Sequence, residues 1–221
     1  VYGESLSDLW LGTIGHGLIH YTKEEGDLDI DIYINNNYDP ASLVNDLVMA
    51  IYKDQSGNIW IGTQGGMSFF DPLKQSFLFF TNVYDSEESL IDKNVWTIHD
   101  QDDSLIWVGT RKGITRINNN DNTYYSYPYK STNLNLPENH DIWDITTDNN
   151  NRVWVATNGG LFLLETYNNF KNARYKKVQF REHKNKMDDD VVYDLNIDQN
   201  NTLWLACKEG VGVIDINTFN Y

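Results

Sequence analysis

The residues best suited to bind a ligand lie in five short loops, each of which follows a strand-like segment centred on a tryptophan. They are His16, Gln64, Arg111, Lys112, Asn158 and Lys208. Amide and guanidinium groups form paired hydrogen bonds with neighbouring sugar hydroxyls, and ammonium and imidazole groups donate to them as well. These side chains vary from loop to loop while the flanking residues repeat, which is typical of loops that carry function on a fixed scaffold. An alternative role as simply solvated loop residues stays open at this level.

Catalytic and metal chemistry have much less support. The five histidines are scattered along the chain, at His16, His20, His99, His140 and His183. None belongs to an i, i+4 pair with a third ligand at metal-binding spacing. The run from Asp188 to Asp190 could offer oxygens to calcium, but the glycine and glutamate of an EF-hand loop are missing, so a solvated acidic loop is favoured. The sequence therefore predicts no catalytic residue, no metal site and no cofactor.

The chain is strongly acidic. Among its 221 residues, 32 Asp and Glu outnumber 17 Lys and Arg, and the formal net charge is −15. Such a surface repels phosphate backbones and anionic lipid headgroups, so binding to nucleic acid or to a membrane surface is disfavoured. Cys207 is the only cysteine, which excludes an intrachain disulfide and a cysteine-based zinc site. The longest apolar runs have strand length, so no direct membrane insertion is expected, and we expect a chain that begins at Val1 to be part of a longer protein.

Five tryptophans mark an internal repeat. Trp10, Trp60, Trp107, Trp154 and Trp204 are separated by 50, 47, 47 and 50 residues. A period of this length is typical of propeller blades or of arrays of helices. Each unit contains short apolar or alternating runs between turn residues, and none has a helical stripe, which favours strands. The repeat predicts an all-β fold, a β-propeller of four-stranded antiparallel blades.

The recurring residues indicate packing. We expect each tryptophan to fill the space between neighbouring blades, where a small residue two positions later keeps the layer open. That small residue is Gly62, Gly109, Ala156 or Ala206. An aspartate six residues before the tryptophan, as in Asp54, Asp148 and Asp198, is expected to accept hydrogen bonds from N–H groups of the turn. Cys207 stands where the other units have threonine and is interpreted as a small core residue.

One further position recurs in the predicted first strand of each blade. It holds Met49, Trp96, Trp143 and Tyr193. A repeated large side chain at a fixed place is interpreted as packing between blades rather than as a platform for a sugar.

The repeat units run approximately over residues 1–44, 45–91, 92–138, 139–187 and 188–221. The first unit is predicted to lack its first strand and the last to stop after its third, which gives 18 strands. This number does not complete a ring of four-stranded blades. A partial arc of a larger propeller is therefore favoured over a five-bladed ring that lacks two strands.

The segment IYKDQSGNIWIGTQGGM (Ile51–Met67) resembles the two-component regulator propeller repeat. Similar phrases are WVGTRKGI from Trp107 and WVATNGGL from Trp154, whereas WLGTIGHGL from Trp10 has one extra residue and WLACKEGV from Trp204 replaces the Gly-Thr pair. The resemblance covers nearly the whole chain. It implies an arc of about five repeats from a seven-bladed propeller, in the periplasmic sensor region of a Bacteroides-type hybrid two-component histidine kinase.

This resemblance implies a non-catalytic sensor that detects oligosaccharides and signals to a histidine kinase outside this chain. The implied partners are an oligosaccharide or other small ligand, the remaining blades and downstream domains of the same chain, and a second copy in a homodimeric receptor. Two alternatives remain. One is a lyase of the streptogramin-inactivating type, whose repeats share the Asp-x-x-Gly-x-hydrophobic-Trp pattern and which needs a histidine, an acid and a metal; the other is a protein-binding scaffold.

Overall fold

The computed structural model describes residues 2–24, 26–74, 76–83, 86, 89–102, 104–118, 120–121, 123–128, 141–167, 170–178 and 191–218. In these ranges the chain forms nineteen β-strands and no helix, arranged as five antiparallel sheets that we number as blades 1 to 5. In every blade the strands follow one another in chain order. The structure is an all-β propeller assembly.

The strands of each blade have these bounds. Blade 1 contains β1 (Tyr2–Ser5), β2 (Asp8–Gly12), β3 (Leu18–Glu24) and β4 (Asp27–Tyr33). Blade 2 contains β5 (Val48–Lys53), β6 (Ile59–Thr63), β7 (Met67–Asp71) and β8 (Ser76–Phe80). Blade 3 contains β9 (Val95–Asp102), β10 (Leu105–Thr110), β11 (Gly113–Asn118) and β12 (Thr123–Pro128). Blade 4 contains β13 (Ile142–Thr147), β14 (Val153–Thr157), β15 (Gly160–Tyr167) and β16 (Asn172–Lys177), and blade 5 contains β17 (Val192–Ile197), β18 (Thr202–Cys207) and β19 (Gly210–Asp215).

The prediction that blade 1 lacks its first strand is wrong. Strand β1 pairs with β2, and Tyr2 lies opposite Trp10 just as Tyr52 lies opposite Trp60 in blade 2. The described strands therefore number nineteen rather than eighteen. The short YGES segment carries no alternating apolar pattern, and its pairing is irregular between Gly3 and Ser5, so tertiary pairing rather than local sequence makes it a strand.

The repeated tryptophans lie between adjoining blades, as predicted. Trp10, Trp60, Trp107 and Trp154 are each at most 5% exposed. Each one packs in a cluster with residues of at least three strands of the following blade. Trp154, for example, joins Val192, Leu195 and Leu205 of blade 5. Both faces of an inner blade are thus covered by neighbours, which explains why the tryptophan strands are continuously apolar.

The aspartate before each tryptophan binds the turn and also the indole. Asp148 Oδ1 accepts hydrogen bonds from the N–H groups of Asn150 and Arg152, and its Oδ2 accepts the indole N–H of Trp154 at 2.9 Å. Burial alone would raise the pKa of Asp148, but the hydrogen bonds from Trp154 and Arg152 outweigh it and lower the pKa. The hydrogen bond to the indole was not foreseen from the sequence, and it locks the turn to the tryptophan that fills the adjoining seam.

The same arrangement recurs at Asp54 with Trp60 and at Asp198 with Trp204. Blade 3 departs from it, because Gln101 Oε1 takes the place of the carboxylate and accepts from Trp107 Nε1 at 2.9 Å. The turn between the first and second strands of that blade differs as well, because Ser104 N donates a hydrogen bond to Asp102 Oδ1.

Glycine is required beside the tryptophans because the next blade approaches closely. A Cβ atom placed on Gly109 would lie 2.5 Å from Thr97 Cγ2 and 2.8 Å from Ile142 Cγ2. At Gly62 the nearest atom would be Val95 Cγ1 at 2.7 Å. These separations are far below ordinary van der Waals contact, so the small residues allow the seams to close.

Candidate functional site

A buried threonine at the end of the second strand shapes the candidate binding loops of blades 2, 3 and 4. Thr110 Oγ1 donates a hydrogen bond to Gly113 O at 2.7 Å and accepts one from Lys112 N at 3.2 Å. Thr63 and Thr157 make the corresponding pairs of bonds in blades 2 and 4, and all three threonines are fully buried. The hydroxyl thus adds to the backbone pairing across the tight turn, as between Thr63 N and Gly66 O, and braces the turn from below.

These loops lie against the segments that lead into the first strands. Gln64 N donates to Leu47 O at 3.2 Å, Arg111 N to Asn94 O at 3.3 Å, and Lys208 N to Val191 O at 2.9 Å. In blade 1, Gly15 N donates to Asp46 O, which belongs to the segment leading into blade 2. We call the surface formed by the loops at residues 14–17, 64–66, 111–112, 158–159 and 208–209, with these leading segments, the loop face.

All six predicted ligand-binding residues lie on the loop face. His16, Gln64, Arg111, Lys112 and Lys208 are exposed, whereas Asn158 is half-buried. Their loops each connect the second and third strands of a blade and so open at the same end of their sheets. Whether they bind a ligand stays a prediction. His140 and Asp189, which the sequence also places at strand entrances, lie outside the described residues.

Lys112 is held by an ion pair. Its Nζ lies 3.1 Å from Asp92 Oδ2, while Asp92 Oδ1 accepts hydrogen bonds from the backbone and side-chain N–H groups of Asn94. Burial alone would raise the pKa of Asp92, but the hydrogen bonds from Asn94 and Lys112 lower it. Asp92 therefore neutralises much of the Lys112 charge and orients its ammonium group along the loop face.

The residue that most clearly escaped sequence reasoning is Asp144 on β13. Its Oδ1 accepts a hydrogen bond from Thr97 Oγ1 of blade 3 at 3.0 Å, and its Oδ2 accepts one from Leu195 N of blade 5 at 2.8 Å. One carboxyl group thus joins three consecutive blades. Burial, reinforced by the nearby Asp194 charge, raises the pKa of Asp144 to about 7. The available signal was the polar residue that recurs at this place as Thr97, Asp144 and Asp194.

His99 forms a second polar contact between blades. Its Nε2 lies 2.9 Å from Thr147 Oγ1 of blade 4. Burial lowers the pKa of His99 to about 4, so the imidazole is neutral at physiological pH. His99 is therefore a structural histidine, consistent with the structural role that the sequence favoured.

A bulge recurs near the start of the first strand of blades 2 to 5. In blades 2, 4 and 5 the pairing with the second strand skips a residue, for instance between Ile142 and Asp144. In blade 3 the skip falls between Val95 and Thr97. The skipped residues are Met49, Trp96, Trp143 and Tyr193. A β-bulge re-aims the side chain of its extra residue, so the four large side chains leave the regular alternation of the strand.

The four skipped residues form what we call the aromatic row. The Trp96 and Trp143 rings lie 5.0 Å apart, and the Trp143 and Tyr193 rings 6.1 Å apart, each pair from adjacent blades. This confirms ring contacts between blades, but the row is not enclosed. Tyr193 is 47% exposed and Met49 37%, and both tryptophans are half-buried.

Within the described ranges, no group of three or more His, Cys, Asp or Glu side chains is arranged to hold a metal ion. His16 lies on the loop face with its backbone N–H bonded to Thr13 Oγ1. His20 stacks on Trp10 with ring centroids 3.8 Å apart and lies 2.9 Å from an Asp8 carboxylate oxygen. The positions of these two histidines are thus explained by the loop and the blade core.

Replacing Thr110 by valine is expected to lower the free energy of unfolding by about 1–3 kcal/mol, because it removes the buried hydroxyl that accepts from Lys112 N and donates to Gly113 O. Urea denaturation monitored by circular dichroism would measure the change. The matched control is Thr218→Val, at an exposed threonine, which should stay within about 0.5 kcal/mol of the wild type. Equal effects of the two changes would contradict the structural role of the buried hydroxyl.

Comparison with protein families identifies the repeat. Residues 42–65 and 135–159 match the family model of the two component regulator propeller. Both segments resemble two-component regulator propeller repeats. The first regulator propeller repeat spans the β5–β6 hairpin with its Asp54 turn, and the second spans β13–β14 with Asp148. The two segments that match the family model therefore contain the hydrogen-bonded pairs Asp54–Trp60 and Asp148–Trp154 described above.

Solved structures share the fold. The extracellular domain described as belonging to the hybrid two component system BT3049 of B. thetaiotaomicron aligns with a TM-score of 0.69 at 20% identity, over 96% of this chain and 26% of that one. The extracellular domain of BT4673 from the same organism gives 0.69 at 18% identity, over 94% and 26%. Virginiamycin B lyase from Staphylococcus aureus, in a complex with quinupristin, gives 0.52 at 16% identity, over 84% and 59%.

At these identities the likeness establishes the propeller fold alone. This chain spans about a quarter of the length of the two extracellular domains. A comparison with curated protein sequences gives no match. None of the described segments is a helix with the length and hydropathy of a membrane span.

Proposed function

We propose that this chain is the ligand-sensing propeller of an extracytoplasmic two-component sensor, and that it detects oligosaccharides and signals to a histidine kinase outside this chain. The observation that carries the proposal is the loop face. Five equivalent loops, three of them built on the same threonine-braced turn, present different polar side chains, and two of the surrounding repeats match the regulator propeller family.

The chemistry of the loop face supports a polyhydroxyl ligand. Arg111 and Gln64 offer planar donors on exposed loops, and Asn158 adds an amide in the next blade. Backbone hydrogen bonds to the leading segments hold these loops, so little conformational entropy is lost when a ligand binds. Binding would act without chemistry, by favouring one arrangement of paired receptors over another.

Likeness to the extracellular domains of two-component systems supports a periplasmic location. The end faces support further blades as partners. Trp204 of blade 5 is 43% exposed, although its equivalents in blades 1 to 4 are covered by the next blade. Ile30 and Ile32 of blade 1 are likewise 51% and 61% exposed. We propose that additional blades of a seven-bladed ring cover these faces, and that the full receptor is a homodimer.

The proposal is tested by titrating a panel of oligosaccharides into the chain, with calorimetry and tryptophan fluorescence as readouts and chromatography to detect products. We expect saturable binding without turnover, weakened at least tenfold by Arg111→Ala. The matched control is Arg174→Ala, because Arg174 lies in the outer strand β16 away from the loop face and pairs with Glu165. Product formation would instead indicate a lyase, and binding to proteins but no saccharide would indicate a scaffold.

A further inference from the structure

The strongest unexplained feature outside the loop face is the aromatic row on the inner strands. Strands β5, β9, β13 and β17 of consecutive blades lie side by side, so the row crosses from blade to blade in the inner layer of the propeller. Its residues are each second in their strand and therefore lie next to the loop face. A ligand held by the loops would lie against these side chains.

The aromatic row is not part of the hydrophobic packing between blades. The four buried clusters between blades contain neither Met49, Trp96 nor Tyr193, and Trp143 only borders one of them. Large aromatic side chains that remain half-exposed in a repeated bulge are costly to leave in water. Bulges of this kind are common beside binding sites, where they turn a side chain toward a ligand.

Two donors in the row are unused. The indole Nε1 atoms of Trp96 and Trp143 are enclosed and have no hydrogen-bond partner in the described part of the chain. An enclosed polar group without a partner is rare in folded proteins and calls for an explanation.

The surrounding charge selects the kind of ligand. Tyr193 is followed by the exposed carboxylate of Asp194, and Asp141 lies two residues before Trp143. The chain as a whole carries a net charge of −15. A sulfated or uronic acid saccharide would meet repulsion here, whereas a neutral one would not.

We propose that the aromatic row is the stacking platform for a neutral oligosaccharide that lies across consecutive inner strands, with its edge hydroxyls bonded by the loop face. The C–H faces of pyranose rings pack on the Tyr193, Trp143 and Trp96 rings, and Met49 extends the apolar surface into blade 2. This inference rests on the proposed sensing function and names both the contact surface and the charge class of the ligand.

The test compares binding of neutral hexasaccharides, such as maltohexaose, xylohexaose and mannohexaose, with a heparin-derived hexasaccharide and a galacturonic acid oligomer. We expect a neutral saccharide to bind and to change tryptophan fluorescence. Tyr193→Ala should weaken that binding at least tenfold, whereas Tyr193→Phe, which keeps the ring, should stay within about twofold. Thermal unfolding of each variant checks that the fold is retained.

The matched control is Tyr167→Ala. Tyr167 is 51% exposed and ends β15 at the edge of blade 4 opposite the loop face, so its loss should leave binding unchanged. Saccharide binding that is insensitive to Tyr193→Ala, or a preference for the anionic saccharides, would overturn the platform while leaving the sensing function intact. Failure of every saccharide to bind would overturn both.

Discussion

Replacing Trp154 by alanine is expected to lower the free energy of unfolding by about 3–5 kcal/mol, the range for a large aromatic side chain removed from a packed core. Trp154 is fully buried between blades 4 and 5, where it contacts Val192 and Leu195, and its indole N–H is bonded to Asp148. The change would both open a cavity in the seam and leave the Asp148 carboxylate without one of its donors. Denaturant unfolding measured by circular dichroism gives the loss directly.

The chain contains its own control for this experiment. Trp204 holds the same position in blade 5 and makes the same bond to its aspartate, Asp198, but it is 43% exposed. Trp204→Ala should therefore cost only about 1 kcal/mol, mainly the hydrogen bond. If the two substitutions destabilise the protein equally, the tryptophans do not stabilise it by filling the seams between blades.

Stability between about pH 4.5 and pH 7 is expected to depend on two buried groups that act in opposite directions. Asp144 has a pKa of about 7 in the folded protein against an ordinary value of 3.8, so the folded state binds more protons than the unfolded state, and this group lowers stability as pH rises. His99 has a pKa of about 4 against 6.5, so the unfolded state binds more protons, and this group raises stability as pH rises.

Each shift corresponds to a change on the order of 3–4 kcal/mol across its window, since one pKa unit equals about 1.4 kcal/mol. The wild-type protein should therefore show a nearly flat stability profile in this range. Asp144→Asn removes the contribution that lowers stability as pH rises. The side-chain amide of the asparagine can still accept a hydrogen bond from Leu195 N and donate one to Thr97 Oγ1. We expect the stability of this variant to rise with pH.

His99→Gln should have the opposite effect, because it removes the contribution that raises stability as pH rises while it keeps a polar partner for Thr147. Its stability should fall as pH increases from about 4.5 to 7. Thermal unfolding of the three proteins in a series of buffers at constant ionic strength checks the pair of slopes. Parallel profiles for the two variants would show that the contacts between blades do not titrate in this way.

Much of the fold could be predicted from the sequence because the same pattern of packing residues recurs in several repeat units. The spacing of Trp60, Trp107 and Trp154, with Gly62 and Gly109 beside two of them, indicated seams between blades, and the structure confirms them. Strand β1 was missed because the segment from Tyr2 to Ser5 has no apolar pattern of its own and becomes a strand only by pairing with β2.

The candidate site was predictable in part. Strand order alone places the loops of Gln64, Arg111 and Lys208 on one surface, because alternate connections of an antiparallel sheet open on the same side. The ion pair between Lys112 and Asp92 was not predictable, since it joins two loops whose distance depends on the twist of the blade. The repeated aromatic position was noticed in the sequence, but its partial exposure was not.

By itself, the sequence determined the blade, its tryptophan seam and the loops that vary, because these depend on local periodicity and on turn residues that recur in every unit. Only the tertiary structure decided how neighbouring blades meet at their first strands. Asp144 contacts Thr97 and Leu195, which are 47 and 51 residues away, and a bulge sets the register of those contacts. A one-residue shift there would move each side chain to the other face, and no local pattern in the sequence encodes that shift.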